Sequence, residues 1–227
     1  MSIPGHSYKA FLFDLNGTMI NDMHFHIRSW HRILTDIGAQ LSFEEVKHQC
    51  YGKNHEMLER VFPGRFTDEE KDEMSYAKEL QYQQEFRPHL KLIKGLESFI
   101  RNAHSQGIKL GIGSAAILFN IDFVIDGLNI RDYIDVIVSA DDVDISKPHP
   151  ETFTKCAGYL GIEPSDCLVF EDTPKGAEAA ANAGMDCVII KTLHPQDEFR
   201  HNSNIIGFID DYEDAFISNL LQWKQNF

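Results

Sequence analysis

The sequence predicts an α/β fold, a doubly wound parallel-sheet core with a helical domain inserted after the first strand. Three observations point to it. The apolar run Tyr8-Lys9-Ala10-Phe11-Leu12-Phe13 breaks off into Asp14-Leu15-Asn16-Gly17-Thr18, as a buried strand does when it delivers polar groups to a turn. From Leu92 onward, short apolar strands alternate with helices, the pattern of a mainly parallel sheet covered on both faces. Between these segments, from about Asp22 to Arg87, the pattern is helical with no convincing strand.

Each element has its own local reason. Asn21 to Gly38 carries Phe25, Ile27, Trp30, Ile33, Leu34 and Ile37 at helical spacing, and Gly38 supplies the C-cap. Ser42-Phe43-Glu44-Glu45 is a capping box that opens a second helix, and Gly52-Lys53-Asn54-His55 interrupts the pattern. Thr67-Asp68-Glu69-Glu70 starts a long charged helix to about Phe86, closed by Pro88. Further on, the expected helices are Gly95–Gln106, Ala115–Leu128, Pro150–Leu160, Pro174–Ala183 and one from about Tyr212. The expected strands are Ile108–Gly113, Ile134–Val138, Cys167–Phe170, Cys187–Ile190 and Ile205–Ile209.

With 227 residues the chain can bury a substantial core. Its 21 Lys and Arg against 35 Asp and Glu give a formal charge of -14, which disfavours a nucleic-acid or anionic-membrane surface. An anionic substrate would then need a local positive site. The four cysteines, Cys50, Cys156, Cys167 and Cys187, form no Cys-x-x-Cys pair and read as buried reduced thiols rather than disulfides or zinc ligands. Neither an export signal nor a membrane span is read from the sequence, so the expectation is a cytoplasmic protein, monomeric, with no nucleic-acid or membrane partner.

In a parallel sheet the residues just after each strand share one rim, where ligands bind. That rim collects Asp14 with Asn16, Ser114, Ser139 with Asp141-Asp142, and Glu171-Asp172, joined by Lys147 in Ser146-Lys147-Pro148-His149-Pro150. Phosphoryl transfer uses such a set. It needs a carboxylate nucleophile, carboxylates for Mg²⁺, a hydroxyl and backbone amides for phosphate oxygens, and a fixed cation. Each residue also has an ordinary explanation. Ser114 can be an N-cap, Lys147 an exposed loop lysine, and Glu171-Asp172 a helix cap, although two adjacent acids repel unless a cation stands between them.

The ordered set Asp14-Leu15-Asn16-Gly17-Thr18, Ser114, Lys147-Pro148-x-Pro150-Glu151 and Glu171-Asp172-x-x-x-Gly176 resembles the four motifs of the haloacid dehalogenase superfamily. The nearest resemblance is to its β-phosphoglucomutase-like phosphatases and mutases. It implies a Rossmann-like core over residues 1–21 and 88–227 and a helical C1 cap over 22–87 that closes on the core to exclude water. By the same resemblance Asp14 is the nucleophile, carrying an aspartyl phosphate. Asp14, the Asn16 carbonyl and Asp172 surround Mg²⁺, with Glu171 in or next to that shell. Ser114 and Lys147 hold the phosphoryl group, with Thr18 and Ala115 beside it. The cap residues His26, Trp30, Gly52, His55 and Lys78, the last paired with Tyr82, correspond to substrate-facing positions. As an i, i+4 pair on an apolar face, His26 and Trp30 also read as core packing.

Two residues depart from that pattern. His55 stands where the mutase has an Arg that grips a second phosphate, and His is only partly charged and has no bidentate fork. Asn16 stands where the family has the Asp that acts as general acid and base. An amide cannot carry that proton, a loss of about 10²- to 10⁴-fold, or roughly 3 to 5 kcal/mol. Three accounts of Asn16 stand side by side: a substitution introduced to stall turnover, a natural enzyme of low or altered activity, and a binder of phosphorylated ligands. The expected function is hydrolysis of a small phosphorylated metabolite, a sugar phosphate. Mutase chemistry through a bisphosphate and a non-catalytic phosphometabolite binder are the alternatives. A signalling receiver also uses an acidic pocket, Mg²⁺ and Lys, but the length and the helical insertion argue against it.

Overall fold

The computed structural model describes residues 7–222, so the ends of the expected core, residues 1–6 and 223–227, lie outside the described residues. The chain forms two compact units. One is built from the N-terminal segment to Asn21 together with the chain from Lys91 onward, the other from Asp22–Leu90.

The first unit holds a six-stranded sheet in the order β3-β2-β1-β4-β5-β6, every neighbouring pair parallel. The strands are β1 (Ala10–Phe13), β2 (Lys109–Gly113), β3 (Val136–Val138), β4 (Cys167–Glu171), β5 (Asp186–Ile190) and β6 (Ile205–Ile209). The helices are α5 (Leu96–Ser105), α6 (Leu118–Gly127), α7 (Glu151–Leu160), α8 (Pro174–Asn182) and α9 (Ala215–Gln222). This is the doubly wound fold read from the alternation.

The two-residue period of β1 sorts its side chains between two cores. Ala10 and Leu12 join Val169, Phe153, Cys156 and Ala177, Ala179 and Ala180 of α8 on one face. On the other, Phe11 and Phe13 stack with Phe99, Phe170 and Tyr212, with ring centroids 4.8 to 6.4 Å apart. Both faces are dry, so β1 reads as a continuous apolar run rather than an alternating one. Beyond β1 the chain turns through residues 15–20, and a short antiparallel bridge between Ile20 and Leu92 marks where it leaves and re-enters this unit.

One expected boundary moves. The helix expected from Ala115 begins at Leu118, and its N-cap position is Ile117. Ser114 is therefore not the cap of this helix. The Leu118 amide is satisfied instead by Asp141 Oδ2 at 2.9 Å. This gives Asp141 a structural job, while Asp142 Oδ2 closes a capping box on Ser139.

The second unit is helical: α1 (Met23–Asp36), α2 (Phe43–Gln49), α3 (Asn54–Val61) and α4 (Asp68–Phe86). Complete capping boxes open α2 at Ser42 and α4 at Thr67. After the bend at Gly52 (φ 73°) the chain enters α3 within the stretch expected as an interruption. Ile27, Trp30, Leu34, Val46, Met57 and Leu58 make this unit's own core.

All four cysteines are free thiols, three of them buried and Cys50 half-buried. Among the described residues no helix is long and apolar enough to cross a membrane.

Candidate active site

Strand register assembles the centre of the site. Phe13 pairs with Ile112 on β2 and with Phe170 on β4, so Asp14, Gly113 and Glu171 form one row at the carboxyl ends of three adjacent strands. The Asp14 amide donates to the Phe170 carbonyl at 2.9 Å, which carries the ladder up to the nucleophile position. A single ammonium spans the row. Lys147 Nζ donates to Asp14 Oδ1 at 2.7 Å, to Glu171 Oε1 at 2.7 Å and to the Gly113 carbonyl at 3.1 Å. It also lies 4.6 Å above the centroid of the Phe153 ring, an apolar floor from the same face of the sheet. The preceding reading of Lys147 as an exposed loop residue fails, because only 9% of it is accessible. Its peptide bond to Pro148 is cis.

Burial alone would lower the pKa of this amine, but Asp14 and Glu171 outweigh it and hold the ammonium above its ordinary value. Lys147 is therefore a fixed positive charge at any pH near neutral.

Glu171, expected in or next to the metal shell, has both carboxylate oxygens engaged by protein groups. Its Oε1 faces Lys147, and its Oε2 accepts from the amides of Asp172 and Thr173 and from the Thr173 hydroxyl at 2.9 to 3.0 Å. The cation expected between the paired acids is, at Glu171, the lysine. Thr173, not the acids, caps α8 through the Gly176 amide. Gly176 is also where a Cβ would fall 1.9 Å from the Glu171 carboxylate, so the helix approaches this acid closely only because a glycine is there.

Asp172 is held by hydroxyls. Thr18 Oγ1 lies 3.4 Å from Oδ1 and Thr192 Oγ1 3.5 Å from Oδ2, while Thr192 donates a shorter bond, 2.7 Å, to the Gly17 carbonyl. Gly17 has φ 78°, and a Cβ on it would come 2.0 Å from Asp172 Oδ2. The turn after β1 thus needs glycine both for its backbone angle and for this approach. Thr18, expected beside the substrate phosphate, is fully buried with its hydroxyl turned to Asp172. Thr192 follows β5 and was legible by the same strand-end rule. Tyr212, whose hydroxyl donates to the Thr18 carbonyl at 3.1 Å, had no sequence signal. Burial, then the charges of Asp172 and Asp14, push its phenol well above the usual range.

Ser114 follows β2 and is buried. Its amide donates to the Val138 carbonyl, and its Oγ accepts from the Ala116 amide at 3.1 Å, with Ala115 half-buried between. Asn16 is half-buried in the turn.

Among the described residues no group of three or more His, Cys, Asp or Glu converges where a metal could sit. Two carboxylates, Asp14 and Asp172, and the Asn16 backbone remain as oxygen donors. Three carboxyl groups, Asp14, Glu171 and Asp172, gather here against one lysine, Lys147. Such an all-oxygen donor set suits a hard divalent cation that keeps several waters.

The helical unit has a separate polar cluster buried in it. Lys78 Nζ pairs with His26 Nδ1 at 2.6 Å and donates to Glu79 Oε1 at 2.9 Å. The other imidazole nitrogen faces Asp22 Oδ2 at 3.2 Å, and Tyr82 donates its hydroxyl to the same oxygen. Asn54 donates to Glu79 Oε1 at 2.8 Å. Burial opposes the charge on Glu79, but Lys78 and His26 prevail and bring its pKa down to about 2. The structure shows what surrounds two of the expected substrate-facing residues. Trp30 is packed in this unit's core beneath the Lys78 ammonium, 5.5 Å from it, and Lys78 is spent on His26 and Glu79, with 2% of its surface accessible. His55 pairs with Asp72 at 2.8 Å.

An acidic row with a buried lysine across it, at the carboxyl edge of a doubly wound sheet, stands where α/β enzymes of this class bind their ligands. Residues 11–190 match the family model described as haloacid dehalogenase-like hydrolase, and the chain belongs to that family. It is 30% identical to the validoxylamine A 7'-phosphate phosphatase of Streptomyces hygroscopicus subsp. limoneus, over 82% of this chain and 87% of the relative. It is 26% identical to hexitol phosphatase B of Escherichia coli, over 88% and 90%. The fold is that of the β-phosphoglucomutase from Clostridium difficile, with a TM-score of 0.82 at 24% identity, over 96% and 99%.

Proposed function

We propose that this chain is a Mg²⁺-dependent phosphatase of a small phosphorylated metabolite, a sugar phosphate, working through a covalent phosphate on Asp14. The observation that supports it is the Lys147 ammonium bridging Asp14 and Glu171 in one row of the sheet. Lys147 orients the Asp14 carboxylate for attack and offsets the charge that builds as a dianionic phosphate approaches an anionic nucleophile. The Ser114 hydroxyl, at the next strand end, would donate to a phosphate oxygen. Asp14, Asp172 and the Asn16 carbonyl would hold Mg²⁺, which when bound supplies further charge neutralisation on the phosphoryl oxygens. Glu171, through Lys147, and Thr18 and Thr192, through Asp172, are positioning residues. The relatives named as phosphatases favour hydrolysis, and the name hexitol phosphatase favours a sugar-type phosphate. Asn16 keeps a carbonyl for the cation but removes the proton carrier, so this reading expects slow turnover.

The test is phosphate release from a panel of hexose and hexitol phosphates with Mg²⁺, with chelator, and with Asp14→Asn. Release that needs both the cation and Asp14 supports the reading; release that survives Asp14→Asn overturns it. A second reading, a binder that does not turn its ligand over, is favoured by Asn16 alone, and would show saturable binding with no release. Mutase chemistry has less support, because His55, standing for the second phosphate grip, already has Asp72 as partner.

A further inference from the structure

We propose that Tyr212 is a positioning residue of the cation site: its hydroxyl, together with that of Thr192, clasps the turn that follows β1 and sets where the Asn16 carbonyl and Asp172 stand. The inference rests on the reading of Asp14, Asp172 and the Asn16 carbonyl as the holders of a divalent cation, and adds to it a residue that touches neither cation nor substrate.

Two hydroxyls distant in sequence hold this turn from outside. Thr192, after β5, donates to the Gly17 carbonyl at 2.7 Å, and Tyr212, after β6, donates to the next carbonyl, that of Thr18, at 3.1 Å. Within the turn the Gly17 amide donates to the Ile20 carbonyl and the Met19 amide to the Leu15 carbonyl, each at 2.8 Å. In a trans peptide the N–H and the C=O point opposite ways, so the Gly17 bond also directs the Asn16 carbonyl. The same turn presses on Asp172. A Cβ at Gly17 would lie 2.0 Å from Asp172 Oδ2, and Thr18 Oγ1 is 3.4 Å from Oδ1. Whatever fixes the carbonyls of Gly17 and Thr18 therefore fixes both the Asn16 carbonyl and the carboxylate opposite it.

Tyr212 is itself firmly seated. Its amide donates to the Lys94 carbonyl at 2.9 Å, and Gly95, at φ 81°, lets the two segments pass so closely that a Cβ there would lie 2.7 Å from the Tyr212 carbonyl carbon. The ring packs among Phe13, Phe99 and Phe170 with centroids 5.7 to 6.4 Å away, and 4% of the residue is accessible. That packing would serve a phenylalanine equally well. What the phenol adds is a buried donor, kept protonated by burial and by the acids beyond it, and its acceptor is the turn.

The experiment measures Mn²⁺ binding through the electron paramagnetic resonance signal of the free ion, and Mg²⁺ binding by competition, on the full chain and on Tyr212→Phe, Thr192→Val, Thr192→Ser, Asp172→Asn and Tyr8→Phe, with a thermal melt of each. Tyr8 is the control, because its hydroxyl donates to Asp186 Oδ2 at 2.6 Å where β5 begins, at the other end of the sheet. Tyr212→Phe and Thr192→Val should each weaken cation binding about 2- to 10-fold, the range of one hydrogen bond, while Thr192→Ser and Tyr8→Phe bind as the parent does even where they melt lower. If Tyr212→Phe does not fold at the assay temperature, the contrast between Thr192→Val and Thr192→Ser decides the clasp. Parent-like affinity in Tyr212→Phe overturns the proposal and leaves the proposed function standing, provided Asp172→Asn loses the cation. Equal weakening in Tyr8→Phe also overturns it, because the cation then reads lost stability rather than position. No binding by the parent, or undiminished binding by Asp172→Asn, overturns the cation assignment and this proposal with it.

Discussion

Replacing Lys147 by Met tests how the site is held together. The ammonium is buried and donates to two carboxylates at 2.7 Å each and to a backbone carbonyl at 3.1 Å. Met fills a similar volume and leaves Asp14 and Glu171 in the same row with no counter-charge. Removing one partner of a buried ion pair costs about 3 to 5 kcal/mol. For a chain of this size that lowers the melting temperature by roughly 6 to 20 °C. The pH dependence carries the sharper signature. In the parent the lysine's folded pKa is raised, so its contribution is fully present below the ordinary lysine value of about 10.4 and is lost only as pH rises through the folded value. Stability from this group is thus flat between pH 5 and 8. In the variant, two close buried carboxylates bind a proton more tightly folded than unfolded, so stability rises as pH falls. Calorimetric melts of both proteins from pH 8 to 5 read this directly. A variant that melts within about 2 °C of the parent, with no gain on acidification, would refute the view that Lys147 neutralises this row.

Two further outcomes follow from the geometry. Gly17→Ala places a methyl 2.0 Å from Asp172 Oδ2 at φ 78°, so it should cost about 2 kcal/mol or more in urea unfolding and displace Asp172; an unchanged midpoint contradicts that account. In the helical unit, Glu79 has its pKa brought down to about 2, so its contribution is present above the ordinary value of about 4.3 and is lost as pH falls from there toward 2. Helical signal followed by circular dichroism should decline over that range in the parent, and Glu79→Gln should be less stable at neutral pH and flatter with pH.

The sheet was legible because β1 and its neighbours are dry on both faces and end abruptly in polar residues, and the capping boxes at Ser42 and Thr67 are local signals that tertiary context left intact. What escaped depends on partners distant in sequence. Ser114 is a residue type favoured at N-caps, but Asp141 accepts from the Leu118 amide, 23 residues away from it in the chain. Glu171 and Asp172 are adjacent acids with opposite surroundings, one wrapped around Lys147 and two amides, the other set between hydroxyls. Spacing cannot say which of the two is paired with the lysine. Trp30 and Lys78 fit a substrate-facing pattern, yet the helical unit needs its aromatic residue for its own core, and Asp22, His26, Glu79 and Asn54 complete a buried network that no periodicity announces.

The most direct measurement compares kcat for Mg²⁺-dependent phosphate release from hexitol and hexose phosphates between the parent chain and Asn16→Asp. If the scaffold is a phosphatase lacking only its proton carrier, the aspartate form turns over about 10² to 10⁴ times faster on the same preferred substrate, with KM little changed. If both forms release phosphate at the same rate, or neither does while the ligands still bind, residue 16 is not what limits this site and the account given for it is wrong.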